Sequence, residues 1–183
     1  MIRFAIKNDA DFVAPLMFQA MEEIVFKLIG KEDKIEAISF LKTLFLEERN
    51  QYSHKNTIVF EENNQVIGSL VFYDGANLHE LREPVLTLSE QISGRKIFVE
   101  DETSEGEIYI DTVSVSPQGK GIGSQLITFL QEYVSKNKLG KIGLLVDENN
   151  PKAERLYTRL GFVYVNNQPL AGGNYKHLVF DVL

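Results

Sequence analysis

The octapeptide Ser116-Pro117-Gln118-Gly119-Lys120-Gly121-Ile122-Gly123 constrains this chain more than any other stretch. Ahead of it, Ile108, Ile110, Thr112, Val113 and Val115 make a β-branched run without Gly or Pro, which predicts a strand over Glu107–Val115. Behind it, Ile122, Leu126, Phe129, Leu130, Tyr133 and Val134 recur at helical spacing, which predicts a helix to about Asn137 with one buried stripe. A strand that turns through glycines into a helix leaves backbone N–H groups unpaired at the positive end of the helix dipole. Glycine lets an anion approach those groups without a Cβ in the way. The arrangement points to a ligand carrying a pyrophosphate; the ligand-free alternative is a tight strand-to-helix turn.

Glycine spacing narrows the choice of ligand. A Walker loop needs four residues between its first glycine and Gly-Lys-Ser/Thr, and no such run occurs. A dinucleotide fingerprint needs G-x-G-x-x-G/A, and here Ser124 stands in the third place after Gly119 and Gly121. A strand does follow, Lys141 to Val146, ending in Asp147 as a ribose-binding acid would. That acid comes later than the interval of about 20 residues expected. The dinucleotide reading therefore fits less well.

The segment from Asn149 to Phe162 carries the second signal. Asn150 can cap a short helix, Pro151 suits its first turn, and Gly161 suits a left-handed end. Ala153, Leu156, Tyr157 and Leu160 form its inner face. Gln-x-x-Gly-x-Gly followed by Asn-x-x-Ala-x-x-x-Tyr-x-x-x-Gly-Phe resembles the GNAT superfamily of N-acetyltransferases, most closely from Glu107 to Phe162. The remainder matches that superfamily in the order of its elements.

Composition agrees with one enzyme domain. The chain has 183 residues, 44% of them hydrophobic, enough for a core without covalent staples. It contains no cysteine, which excludes disulfides, thiolate metal sites and a cysteinyl acyl-enzyme. Lys7, Asn8, Asp9 and Asp11 interrupt any leader-like apolar run, and nothing approaches a membrane span, so the expectation is a cytoplasmic protein with no membrane partner. The net charge of −7 argues against nucleic acid and is compatible with a cationic, amine-bearing acceptor. His54, His79 and His177 are isolated and read as surface or loop residues, so no metal site is expected.

Element by element, a strand is expected at Ile2 to Ile6, helices at Asp9 to Leu28 and Lys34 to Glu48, and a hairpin of Thr57 to Glu61 with Gln65 to Tyr73. After the central strand, glycine turn and two helices come strands near Phe162 to Val165 and Tyr175 to Val182. No repeat or linker divides the chain. It reads as a single α/β domain, residues 1–183, with an insertion at about residues 74–106. Within the insertion Pro84 to Ile92 reads as a helix and Lys96 to Val99 as a small extra strand, followed by the acidic patch Glu100, Asp101, Glu102 and Glu105. The segment either helps select the acceptor or is a solvated excursion.

The resemblance implies an acyl-CoA N-acyltransferase fold: a central, mostly antiparallel twisted sheet flanked by helices and split between the strands Glu107–Val115 and Lys141–Val146. It implies acetyl-CoA as cosubstrate and direct acetyl transfer to a primary amine of a small molecule or peptide. Gln118, Gly119, Lys120, Gly121, Ile122, Gly123 and Ser124 would surround the pyrophosphate. A backbone N–H at Val113 or Val115 would polarise the thioester carbonyl. Tyr157 matches the general acid, since a phenol of pKa near ~10 can protonate a leaving thiolate of pKa near ~8.5; a purely packed tyrosine is the alternative. Asn150 would both cap its helix and touch the pantetheine arm.

The general base is open. Glu107 and Asp111 share parity along the strand, so both carboxylates point to one face. In an ungapped alignment Glu107 falls where some family members carry a catalytic glutamate. Here Val115-Ser116-Pro117 runs straight into Gln118, where most members have two further residues. Allowing for two lost residues moves Tyr109 into that position. Glu107, Asp111 and a water relay all remain, as does the reading of both acids as partners of nearby lysines. A CoA-binding sensor without activity, an interaction module of the same fold and a homodimer are also compatible with the chain.

Overall fold

The computed structural model describes residues 1–182. Its seven strands are β1 (Ile2–Phe4), β2 (Thr57–Glu62), β3 (Gln65–Asp74), β4 (Glu107–Val115), β5 (Lys141–Asp147), β6 (Val163–Leu170) and β7 (Gly173–Phe180). The helices are α1 (Ala10–Ile29), α2 (Lys34–Leu46), α3 (Leu78–Ser93), α4 (Ile122–Asn137) and α5 (Pro151–Arg159). One sheet runs in the order β1-β2-β3-β4-β5-β7-β6. Every pairing is antiparallel except β4 with β5, which α4 joins as a crossover. The expected fold class, a mixed α/β acyltransferase fold with a mostly antiparallel sheet, is the one observed.

Local chemistry explains the ends of these elements. Gly30 closes α1 at φ 75, and the Asp33 carboxylate accepts the Glu36 N–H at 3.0 Å to open α2. Asn63 and Asn64 turn the β2–β3 hairpin with both φ angles positive, as a two-residue turn of primed type requires. One face of the sheet is covered by α1, α2 and α3, with Met17, Phe40, Leu41, Phe45 and Val85 in one apolar cluster. The other is covered by α4 and α5, where Leu126, Ile127 and Leu130 are fully buried against Leu70, Ile110 and Leu144. Each such leucine contributes on the order of 1.5–3 kcal/mol of burial.

Register matters most in β4. Val71 pairs with Thr112 and Phe72 with Ile110, so Asp111 is the extra residue of a bulge. The bulge changes which side chains face α4. Ile108 and Ile110 do so before it, and Val113 and Val115 after it, although strict alternation would put the two pairs on opposite faces.

The segment between β3 and β4 differs from expectation in two ways. Its helix begins at Leu78, ahead of the expected Pro84, because Asp74 accepts the Ala76 N–H at 3.0 Å and starts a turn that runs into α3. Pro84 sits within the helix, where it forfeits one backbone bond. The expected strand at Lys96 to Val99 is absent. Ile97 and Val99 are partly buried against the α1 cluster while Phe98 is 87% exposed, so the alternation is that of a half-buried strand. The neighbouring strands in the chain, β3 and β4, already have partners on both sides. The C-terminal hairpin is longer than expected, because Ala171 and Gly172 turn it tightly with φ 50 and φ 84.

Candidate active site

The β4–β5 ladder runs from Glu107 opposite Lys141 to Ile110 opposite Leu144 and stops there. Both strands continue, β4 held by β3 as far as Val115 and β5 held by β7 as far as Asp147. The sheet therefore splits where the sequence places the split. Hydrogen-bond alternation shows what faces the opening. Ser116 N–H bonds to the Ile67 carbonyl at 2.9 Å, so the residues bonded to β3 are Ser114 and Thr112. The backbone groups of Val113 and Val115 point the other way, toward the split. Consistently, the Gln19 amide reaches the Val115 carbonyl at 3.4 Å.

Beyond Val115 comes the glycine turn. Gly119 and Gly121 have φ 89 and φ 72, and a Cβ on either would meet no atom within 4 Å. Backbone conformation, with open space around it, is what asks for glycine there. Ile122 buries its side chain under the sheet and offers this region only its backbone, while Gly123 and Ser124 are half-buried in the first turn of α4. Gln118 is exposed, and Lys120 leans toward Glu62 at 3.8 Å. The loop thus presents free N–H groups at a helix N-terminus, at the mouth of the split. An extended ligand with a pyrophosphate fits that shape.

On the far wall, β5 passes into α5. Asn150 caps that helix, accepting the Ala153 N–H at 3.1 Å. Tyr157 is half-buried and packs edge-on against Phe162 at 5.9 Å, within the apolar cluster on the α4 face. Its hydroxyl makes no hydrogen bond to another side chain or to backbone among the described residues. Burial pushes the phenol up to about 12, so it carries its proton at neutral pH.

The two strand carboxylates have different surroundings. Glu107 stands at the closed end of the β4–β5 ladder. Its Oε2 meets His177 Nε2 at 2.8 Å and its Oε1 accepts the Thr103 hydroxyl at 2.7 Å. It lies flat over β5, where a Cβ on Gly143 would overlap its carboxylate. Asp111 stands at the bulge where the ladder ends, and among the described residues Tyr73 is its one side-chain neighbour within hydrogen-bonding range, at 3.4 Å. Burial, then the nearby charge of Glu102, raises the Asp111 carboxyl to about 8, against weaker opposite pulls from the Tyr73 hydroxyl and Arg82. Among the described residues neither acid pairs with a lysine.

Two histidines depart from the surface reading. His54 is 5% exposed, with Nδ1 at 2.9 Å from the Phe45 carbonyl, and His177 on β7 reaches Glu107 across β5. His79 is exposed beside Asp101. Sequence reasoning also missed Glu102 and Thr103, both buried beneath the sheet, together with Arg82, Gln51 and Tyr73 around Glu102. The acidic run 100–105 marked their neighbourhood and gave no sign of which acid turns inward.

Comparison with known proteins agrees with this geometry. A model of the acetyltransferase (GNAT) family matches residues 26–162, well over half of the chain. A solved acetyltransferase shares the fold with TM-score 0.85 and 28% identity, each chain covered in full. An N-acetyltransferase from Staphylococcus aureus Mu50 superposes with TM-score 0.83 at 24% identity, over 98% of this chain and 99% of its own. A putative acetyltransferase from Salmonella typhimurium, solved with its cofactor acetyl-CoA, has TM-score 0.59 at 17% identity, over 100% and 94%. Among curated proteins, mycothiol acetyltransferase from Parafrankia sp. is 40% identical over 57 residues, 31% of this chain. That match spans only 18% of the relative's own length. With the split sheet, the glycine turn and the α5 motif in their expected places, the chain belongs to the GNAT family of acetyltransferases.

Proposed function

We propose that this chain moves an acetyl group from acetyl-CoA to a primary amine of a small molecule or peptide, directly, within a ternary complex. The observation that carries this reading is the split beyond Ile110 and Leu144, walled by the backbone of Val113 and Val115 where β5 no longer pairs with it and with the glycine turn at its mouth. The thioester supplies an activated acyl group. The chain's residues supply the rest.

The N–H groups from Gly119 to Ser124 hold the pyrophosphate, with Gln118 and Lys120 at the edge of the loop. Asn150 caps α5 and borders the pantetheine arm. An N–H at Val113 or Val115 receives the carbonyl oxygen as negative charge grows on it. In its ionised form, which prevails above about pH 8, Asp111 takes a proton from the acceptor's ammonium: the N–H bond breaks, its electron pair stays on nitrogen, and an O–H bond forms on the carboxylate. Tyr157 gives its proton to the leaving thiolate. Asp111 and Tyr157 lie on opposite faces of the sheet, Asp111 beside Tyr73 and Tyr157 in the cluster on the α4 face. Glu107, with both oxygens already engaged, is assigned to holding the closed end together.

A thermal shift with acetyl-CoA, against NAD and ATP at matched concentration, tests the reading. A ligand at about 100 times its dissociation constant stabilises by about 2.7 kcal/mol, which for a chain of this size is a rise of about 5–10 °C. A rise with acetyl-CoA alone is the expected result. A rise with NAD alone would identify a dinucleotide enzyme. A rise with acetyl-CoA but no thiol release with any primary amine would identify a CoA sensor.

A further inference from the structure

The insertion does not lie out in solvent. It leaves the sheet after β3, crosses the α1 face as α3, and returns as an extended strap whose residues Glu102 and Thr103 are 6% and 7% exposed. The strap passes so close to the end of β3 that a Cβ on Gly75 would lie 2.6 Å from Thr103 Oγ1 and overlap the Ser104 carbonyl. Two consecutive strap residues reach the two strand carboxylates, Thr103 directly to Glu107 and Glu102 through Tyr73 toward Asp111.

Glu102 is firmly fixed. Its Oε2 is ion-paired with Arg82 of α3, and its Oε1 accepts Gln51 Nε2 at 2.6 Å and the Tyr73 hydroxyl at 2.7 Å. Arg82 is itself held by Asp101 at 2.9 Å and by the carbonyls of Val99 and Glu100, both at 3.1 Å. Tyr73 has one proton and two carboxylates within reach, Glu102 at 2.7 Å and Asp111 at 3.4 Å. The nearer, fixed carboxylate holds most of it and Asp111 receives only the longer, weaker contact, while Gln51 Nε2 at 3.0 Å already donates to the phenol oxygen. Ionised Asp111 is therefore left short of a donor while facing a second carboxylate.

The other groups around Asp111 do not relieve this. Tyr52 precedes β2 and Tyr109 lies on β4, and burial raises both phenols, like that of Tyr73, well above their ordinary range, so all three are neutral. Glu107 on the same strand is bonded to His177 and Thr103. Among the described residues Arg82 is the one cation acting on Asp111, and it spends its hydrogen bonds on the strap.

We propose that Glu102, carried under the sheet by the inserted strap and fixed by Arg82 and Gln51, is a positioning residue that acts with the Tyr73 hydroxyl to set the basicity of the Asp111 carboxylate that takes a proton from the acceptor amine. The inference rests on the reading of Asp111 as the base and adds what makes it one. An ordinary surface aspartate is too weak a base to deprotonate an ammonium effectively at neutral pH, whereas one held beside a fixed anion and short of donors is stronger. The insertion thereby belongs to the catalytic apparatus.

The test is carboxyl-carbon NMR on the full chain labelled at aspartate, with the Asp111 signal assigned by its loss in Asp111→Asn. In the wild-type chain its midpoint is expected at about 8. Glu102→Gln keeps the side chain's shape and removes its charge, and should lower the midpoint by about 1 pH unit or more. Tyr73→Phe removes the one side-chain donor near Asp111 and leaves Glu102 charged, and should raise it. Opposite shifts are not expected of two merely structural residues. A wild-type midpoint in the ordinary carboxylate range, or an unmoved midpoint in either folded variant, overturns the proposal. If Glu102→Gln does not fold, the Tyr73→Phe titration decides. Unchanged turnover in Asp111→Asn would instead overturn the base reading, and would leave the two NMR shifts as they are.

Discussion

Glu107 and Asp111 sit on one strand, four positions apart, and the sheet treats them in opposite ways. Around Glu107 β5 is still paired, its Gly143 leaves room for the carboxylate, and β7 beyond it contributes His177. Around Asp111 β5 has gone, a bulge has interrupted the ladder on the β3 side, and the nearest fixed group is another carboxylate reached through a phenol. The same chemical group is thus tied down where the sheet is closed and made basic where it opens. The difference comes from the neighbouring strand, because a carboxylate's properties depend on how many donors its surroundings can bring to it.

Substituting each carboxylate is the sharpest way to break that comparison. Asp111→Asn should lower kcat/KM for acetyl transfer by about 10²–10⁴ and leave acetyl-CoA affinity, read by calorimetry, nearly unchanged. Glu107→Gln should alter turnover far less, and comparable losses in the two variants would erase the distinction. On the opposite wall, Tyr157→Phe should lower kcat by about 10²-fold without weakening acetyl-CoA binding, whereas equal turnover would return Tyr157 to a packing role. Gly121→Val places a β-branched residue at φ 72; a cost of about 1–3 kcal/mol for that backbone strain should appear as roughly 5- to 150-fold weaker acetyl-CoA binding.

The closed end should answer in stability. Gly143→Ala forces Glu107 off β5 and should cost about 1–3 kcal/mol in denaturant unfolding; a neutral result would show that the carboxylate has room to move. Stability should also depend on pH through Asp111. The Asp111 carboxyl lies at about 8 in the folded chain, against an ordinary value of 3.8. Between those limits the folded chain therefore holds one proton more than the unfolded chain, and raising the pH costs stability. Asp111→Asn should flatten this contribution, so wild type loses more Tm than the variant between pH 5 and pH 8. Equal losses would mean that Asp111 titrates as an exposed acid.

Much of the gap end was legible beforehand. β4 and α4 have the limits expected from their apolar periods, and Gly121, Gly161 and Asn150 hold the turn and cap positions that their residue types suit. Those signals are local: a glycine with positive φ or a capping Asn acts on residues within one turn of itself. The strap was not legible in this way. Lys96 to Val99 alternates as a strand does and has no ladder to join. Among four acids, Glu102 is buried for reasons that lie in α3, β3 and the segment before β2. His177 reads as isolated until β5 and β7 pair and bring it to Glu107.

By itself, then, the sequence determined the strand, the glycine turn, the helices that flank it and the family to which they belong, because each depends on backbone conformation and periodicity over a few neighbouring residues. Tertiary structure alone decided which carboxylate is held and which is made basic, since that depends on where β5 leaves β4 and on a strap that returns to place Glu102, 29 residues further along the chain, behind Tyr73. Charge and burial act through space, and the distances between these groups exist only once the sheet has closed and the insertion has packed beneath it.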